Sequence, residues 1–318
     1  MNDIQHATRK ATALFQLAAF LATLAFSTMT RSASGGQIYV SSYNTTTYQG
    51  RVGEYDSATG AAINAAMVPL NQPIAITVSG GKLFVAKFAQ DHAGAGSIGE
   101  YDAATGAVIN ASLVSGLNGP TSIAVSGEHL FVGSYADNTI SEYDAVTGAA
   151  VSTPLIAGIL SGRFALSGSM LFALSGSGIG EYTVTGATVN AALVTGLTQT
   201  PSDIAVSGSN LFFSFSGRNT VGKYDAITGA VINSSLVSGL NSPDGIAVSG
   251  SNLFVVNFSG GTIGEYDATT GVAVNAALIS GLTSPNFIAV VPEPSSLALA
   301  ALGVACLIGM VRHRRRPR

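Results

Sequence analysis

Residues 263–285 read IGEYDATTGVAVNAALISGLTSP, and residues 98–120 read IGEYDAATGAVINASLVSGLNGP. One phrase is being repeated. Its tyrosine recurs at Tyr55, Tyr101, Tyr143, Tyr182, Tyr224 and Tyr266, at spacings of 46, 42, 39, 42 and 42 residues. A period of roughly 40–45 residues belongs to a β-propeller blade or to a two-helix solenoid repeat. Within each unit short β-branched and aromatic runs alternate with Ser-Gly, Thr-Gly, Asn and Asp, and no apolar pattern follows a 3.6-residue period. Solenoid helices would have to carry Thr-Gly and Ser-Gly in every repeat, so the unit reads as four strands.

Named from the last complete unit, the expected strands are A (246–248), B (253–257), C (262–267) and D (272–279). The units start out of phase. The chain enters on a B strand at 37–40 and leaves on an A strand at 287–291. A closed ring resolves the offset by pairing the last A strand with the first B strand, which removes the open edge. The expected fold is all-β, a six-bladed propeller of four-stranded antiparallel blades over 35–291.

The flanks differ in composition. Arg9 and Lys10, the run ATALFQLAAFLATLAF and the small residues Ser32-Ala33-Ser34 have the layout of a secretory signal peptide over 1–34, an N-terminal signal helix cut after Ser34. At 297–311 lies an uncharged apolar run followed by Arg312, Arg314, Arg315 and Arg316. Fifteen residues are fewer than the ~20 usually needed to span a bilayer, but flanking arginines can snorkel. The expectation is a C-terminal transmembrane helix within 292–318, arginines inside and body outside.

Between residues 35 and 291, six Lys and Arg stand against fifteen Asp and Glu, a net of −9. That balance excludes a nucleic-acid partner, whose phosphates need a basic face. The single cysteine, Cys306, lies in the tail, so the body holds no disulfide and depends on packing.

Glu-Tyr-Asp occurs four times and decays to Glu181-Tyr182-Thr183 and Lys223-Tyr224-Asp225, and six symmetric copies point to architecture rather than to an active site. The Asp can accept turn amides and the following Gly supplies a positive φ at the C–D hairpin. Chemistry is expected where the copies differ. D-to-A and B-to-C connections share the top face of a propeller, around its channel. After the recurring proline these connections read Ile74-Ala75, Thr121-Ser122, Ser202-Asp203, Asp244-Gly245 and Asn286-Phe287, while the fourth copy lacks the proline and offers Gly162-Arg163. Asp203, Asp244 and Asn286 could converge on the mouth and hold a hard divalent cation such as calcium. The alternative is that Arg163 and Asp203 pair across neighbouring blades while the others cap turns. Asp91 and His92, in the insertion behind the 46-residue spacing, join Asp137 and Arg163 as candidate top-face binding residues.

Two resemblances follow from these residues. Pro243-Asp244-Gly245-Ile246-Ala247-Val248 with Leu253-Phe254-Val255 resembles the blade phrase of NHL-type and gluconolactonase-type propellers, over about 80% of the chain. The gluconolactonase resemblance implies a metal-dependent hydrolase with a channel metal held by Glu, Asn and Asp; no Glu occupies the inner positions here. Pro292-Glu293-Pro294, the apolar run and the arginine cluster together resemble the PEP-CTERM sorting signal of bacterial envelope proteins. That resemblance implies recognition by an exosortase after export by the secretion machinery. It further implies transient residence in the inner membrane and transfer to the cell surface or extracellular matrix. The expected function is a non-enzymatic surface propeller without a cofactor, with an envelope polysaccharide or protein as partner. The alternative is the metal-dependent hydrolase, with Asp203, Asp244 and Asn286 as ligands.

Overall fold

The computed structural model describes residues 36–88, 96–175 and 178–291. The signal segment, the tail with Pro292, Glu293, Pro294, Arg312, Arg314, Arg315 and Arg316, and the Asp91–His92 insertion lie outside the described residues. The rest forms six four-stranded antiparallel sheets.

Blade 1 is assembled from both ends: its A strand is Pro285–Val291 and its B strand Gln37–Tyr43, followed by Gln49–Asp56 and Ala62–Asn71. Gln37 pairs with Val291 and Ser41 with Phe287, so the ring closes as the phase of the repeats requires. Both closing strands are longer than their sequence patterns predict, because the pairing continues to Ser42 and Pro285 across a register shift. The other A strands are Pro73–Ser79, Pro120–Ser126, Phe164–Ser167, Asp203–Ser207 and Pro243–Ser249 in blades 2 to 6. These inner strands contact one another in turn around the axis.

The repeated phrase is the seam between blades. Tyr55 packs with Leu278 and Ile279 of the preceding blade, Tyr101 with Met67 and Val68, Tyr224 with Leu193 and Val194, and Tyr266 with Leu236 and Val237. A Cβ on Gly264 would strike the ring of Tyr266, which explains the glycine two residues before the tyrosine. In the next turn Asp267 Oδ1 accepts from Thr269 N (3.0 Å), Thr270 N (2.7 Å) and Thr270 Oγ1 (2.8 Å). The Thr270 amide and hydroxyl hold the Asp267 carboxyl below its ordinary range. Gly229 follows the same turn in blade 5 at φ 72°, and a Cβ there would meet the carbonyl of Leu193 in blade 4. Turn and tyrosine thus lock each blade to the one before it.

Each outer D strand exposes its first half on both sides. Asn110 Oδ1 accepts from Ser112 N at 3.1 Å and Asn275 Oδ1 from Ala277 N at 3.2 Å, turning the strand out of register. Five residues of strand D, Asn275 to Ile279, span three of strand C, Glu265 to Ile263. Such bulges break the free edge that would otherwise template pairing with another chain. Among the described residues no helix is long and apolar enough to cross a membrane.

Two faces result. B–C and D–A connections meet at the top, where Tyr135 N donates to Gly119 O. A–B hairpins and C–D turns meet at the bottom, where Ala145 N donates to Glu128 O. Gln37 and Val291, the two ends of the ring, lie at this bottom face, since Ser57 N of a C–D turn donates to Gly36 O.

Candidate functional site

The third D–A connection, which leads into blade 4, breaks the pattern of the others, and the break has a backbone cause. Without the recurring proline, Leu160–Gly162 forms a short 3-10 turn in which Ser161 (φ 60°) and Gly162 (φ 62°) are both left-handed. A non-glycine residue there costs on the order of 1 kcal/mol and is retained only where the surroundings hold it. Thr121 Oγ1 of blade 3 donates to Ser161 O at 2.6 Å, and a Cβ on Gly133 would collide with Gly162 O. The turn is wedged between blades 3 and 4, and it delivers Arg163 into the channel mouth.

From there Arg163 reaches across the axis. Nη1 lies 3.8 Å from Asp203 Oδ1 in blade 5 and Nη2 lies 3.7 Å from Asp244 Oδ1 in blade 6. The guanidinium carbon stands 4.4 Å from the ring centroid of Phe287 in blade 1, a cation–π distance. One side chain therefore ties four blades together. Both ion-pair distances exceed a hydrogen bond, and the buried Nη1 has no hydrogen-bond partner among the described residues.

The two carboxyls differ in setting. Asp203 is 5% exposed and its Oδ2 accepts from Ile246 N of the next blade at 3.0 Å. Burial pushes its pKa up to about 7, against the opposing pull of Arg163. Burial also raises Asp244, which keeps one edge toward the mouth. Asn286 is buried, and its Nδ2 donates to Ser284 O at 3.4 Å.

The structure thus brings Asp203, Asp244 and Arg163 together and places Asn286 one blade further round. A hard cation would need oxygen ligands at about 2.3–2.6 Å. The group that faces both carboxylates is instead the Arg163 guanidinium. Among the described residues no group of three or more His, Cys, Asp or Glu side chains is arranged to hold a metal ion. The pairing of Arg163 with Asp203 anticipated from neighbouring blades is present, and Arg163 extends to Asp244 as well.

Above this cluster opens a cavity of about 260 Å³ lined by Thr121, Tyr135, Ser161, Arg163, Ser202 and Asp244. Tyr135 is 56% exposed at its rim. Sequence reasoning missed Tyr135 and Ser161. The aromatic after strand B recurs as Phe88, Tyr135 and Phe258, so Tyr135 reads as one more repeat position; only its exposure separates it from the half-buried other two. Asp137 sits on the same face but lines a separate cavity of about 200 Å³, where its Oδ1 accepts from Asn118 Nδ2 at 2.8 Å.

Comparison with known proteins gives the following. A family model described as outer membrane protein assembly factor BamB matches residues 48–276, and one described as the PEP-CTERM protein-sorting motif matches residues 290–316. No curated protein matches the chain. Among solved structures, a nidogen/laminin complex contains a chain similar at TM-score 0.62 and 11% identity, covering 80% of this chain and 98% of that one. The computationally designed Ika8 protein is similar at TM-score 0.47 and 16% identity, covering 74% and 71%. The first likeness supports the propeller fold. The chain belongs to the family described as outer membrane protein assembly factor BamB, and it carries a PEP-CTERM sorting motif. That motif implies export and exosortase-mediated processing of the C-terminus toward the cell surface.

Proposed function

We propose that this protein is a surface-displayed binding propeller whose channel mouth recognises an envelope polysaccharide. One observation carries the reading: an aromatic ring left open at the rim of a cavity whose walls are hydroxyls and charged groups. Tyr135 offers a flat face for the apolar side of a sugar ring, while Thr121, Ser161, Ser202, Arg163 and Asp244 offer donors and acceptors for its hydroxyls. Buried Arg163 Nη1, with no hydrogen-bond partner among the described residues, marks a guanidinium that is positioned but not saturated. The sorting motif supports the setting, because its processing route leads to the envelope. Both ends of the ring lie at the bottom face, so the protein is held from below with the mouth directed away from its attachment.

The gluconolactonase-type hydrolase would need Asp203, Asp244 and Asn286 around one cation, and Arg163 fills the approach to two of them. The polysaccharide reading therefore ranks first.

Retention of the purified protein on isolated extracellular matrix, and its titration by calorimetry with neutral oligosaccharides from that matrix, tests the proposal. Wild-type binding with a loss of at least tenfold in Tyr135→Ala is expected. Equal retention of the wild type and that variant would remove the channel mouth as the site. Calcium-dependent turnover of a lactone, abolished in Asp244→Ala, would favour the hydrolase instead.

A further inference from the structure

A second cleft, of about 540 Å³, opens on blade 1 against the last D–A connection. Ser42, Tyr43, Asn44, Thr47, Arg51 and Thr283 are among the residues that line it. Among the described residues no carboxylate belongs to its lining, in contrast to the channel mouth.

Arg51 is the residue that sets this cleft apart. It precedes the first apolar residue of strand C, and the matching positions in blades 2 to 6 are Ser97, Thr139, Gly178, Thr220 and Thr262. Five blades use a small residue where blade 1 spends a guanidinium. Arg51 is half-buried and makes no ion pair with any described residue. Lys82 by contrast is paired with Glu100, and Arg163 with Asp203 and Asp244. On a body with a net charge of −9, an arginine in a carboxylate-free cleft is out of keeping with its surroundings.

The cleft is also built. Asn44 Oδ1 accepts from Thr46 N (2.8 Å) and Thr47 N (2.9 Å), fixing the B–C loop. Tyr48 closes that loop at φ 61°, a left-handed conformation uncommon for an aromatic residue. A Cβ on Gly50 would meet Ser42 O, Tyr43 Cβ and Pro73, so the floor admits only glycine. Tyr43 lines this cleft on the side that feels the charge of Asp244, which in turn lines the channel mouth.

A guanidinium flanked by hydroxyls and amides is the arrangement that takes a planar carboxylate through two parallel hydrogen bonds. We infer that the blade 1 cleft receives the carboxylate of an acidic sugar unit belonging to the glycan whose neighbouring ring rests at the channel mouth. This deepens the polysaccharide reading and depends on it. Arg51 selects for the acidic sugar, Tyr43 separates the two subsites, and Thr47 and Thr283 supply hydroxyls around the anion.

Calorimetry with a glucuronic-acid oligosaccharide and with its carboxyl-reduced, neutral counterpart tests the assignment, using the full-length purified protein. The wild type is expected to bind the acidic form roughly tenfold more tightly at low salt, the range for one charge-assisted bidentate contact. Arg51→Gln should abolish that preference and leave neutral binding unchanged, and Arg51→Lys should restore part of it. An O-sulfated neutral oligosaccharide that binds as tightly as the acidic form would overturn the carboxylate and make the cleft a general anion site. Equal wild-type affinity for acidic and neutral forms overturns the inference while the polysaccharide reading stands. Binding of neither oligosaccharide overturns both. Loss of neutral binding in Arg51→Gln, with unchanged thermal stability, also overturns it, because the cleft and the mouth would then not be separable subsites.

Discussion

Replacing Arg163 with methionine should destabilise the protein strongly at pH 8 and weakly at pH 5. Asp203 has a native pKa near 7 against an ordinary 3.8, because burial disfavours its charged form. Between those values the native state binds the proton that the unfolded state has released, so wild-type stability falls as pH rises from about 4 to 7 and levels off above. At about 1.4 kcal/mol per unit the fall from this group is on the order of 4 kcal/mol, an upper bound for a site that water can partly reach. Arg163, 3.8 Å from Asp203 and 3.7 Å from Asp244, opposes the rise of both carboxyls. Its removal pushes both higher still, so at pH 8 the native state must either hold unpaired buried charge or take up protons, whereas at pH 5 Asp203 is neutral with or without Arg163. Breaking a buried pair by deleting one partner costs about 3–5 kcal/mol. At about 2–4 °C per kcal/mol for a domain of this size, the expected drop in Tm is about 10 °C at pH 8. Methionine keeps part of the contact with Phe287, so the packing loss is common to both conditions. Thermal unfolding followed by circular dichroism at the two pH values measures the difference. An equal drop at pH 5 and pH 8 would refute the reasoning, since the role of Arg163 would then be packing alone.

Three further outcomes follow from the ring. Deleting Phe287–Val291 should lower Tm by more than 10 °C or abolish cooperative melting, because the buried side chains of Phe287 and Ile288 are lost and Gln37–Tyr43 becomes an unpaired edge; an unchanged melt would mean that closure is not what holds blade 1. Gly229→Ala should cost more than 2 kcal/mol in chemical denaturation and Gly250→Ala only about 1 kcal/mol, since both have positive φ but only the first faces a neighbouring carbonyl. With Cys306→Ser and an uncleavable tail, a membrane-impermeant thiol reagent applied to spheroplasts should label Asp137→Cys faster than Gly250→Cys; the reverse order would invert the proposed orientation.

The legible part of this protein was its repetition. Tyr55 to Tyr266 and the Asp-x-x-Thr-Gly turns carry the blade count, the strand order and the closing strand, because the same physical problem, locking one blade to the last, is solved in much the same way at each seam. The six-bladed ring was accordingly readable before any coordinates. The site was legible only where repeats differed in residue type, as at Arg163, Asp203 and Asp244. Tyr135 stayed hidden because it shares its aromatic character with Phe88 and Phe258, and exposure is a property of the assembled ring. Arg51 was hidden for a different reason: it lies at the start of a regular strand, and that it makes no ion pair among the described residues shows only once the fold is in place. The reach of Arg163 over Phe287 was equally beyond sequence, since the two residues meet across the channel from blades 4 and 1.

The same division explains why chemistry concentrates on one face. At the bottom, each C–D turn presses a positive-φ glycine against the preceding blade's carbonyl, as Gly229 does on Leu193 and Gly271 on Leu236. A side chain added there breaks the seam, so the bottom is held to one solution in every blade. At the top the seams are less uniform. A Cβ on Gly50 or Gly96 would strike Pro73 or Pro120 of the next blade, whereas the connection into blade 4 lacks the proline and has the left-handed Ser161 and Gly162, and the first B–C loop carries Tyr48 and the cleft beside Arg51. Cation and carboxylate placements that differ from blade to blade therefore gather at the channel mouth. The ring's two ends, paired through Gln37 and Val291, lie on the opposite side. The sorting motif, matched from residue 290, overlaps the end of that pairing and so joins the protein at its invariant face, which on the proposed reading leaves the variable face for the glycan.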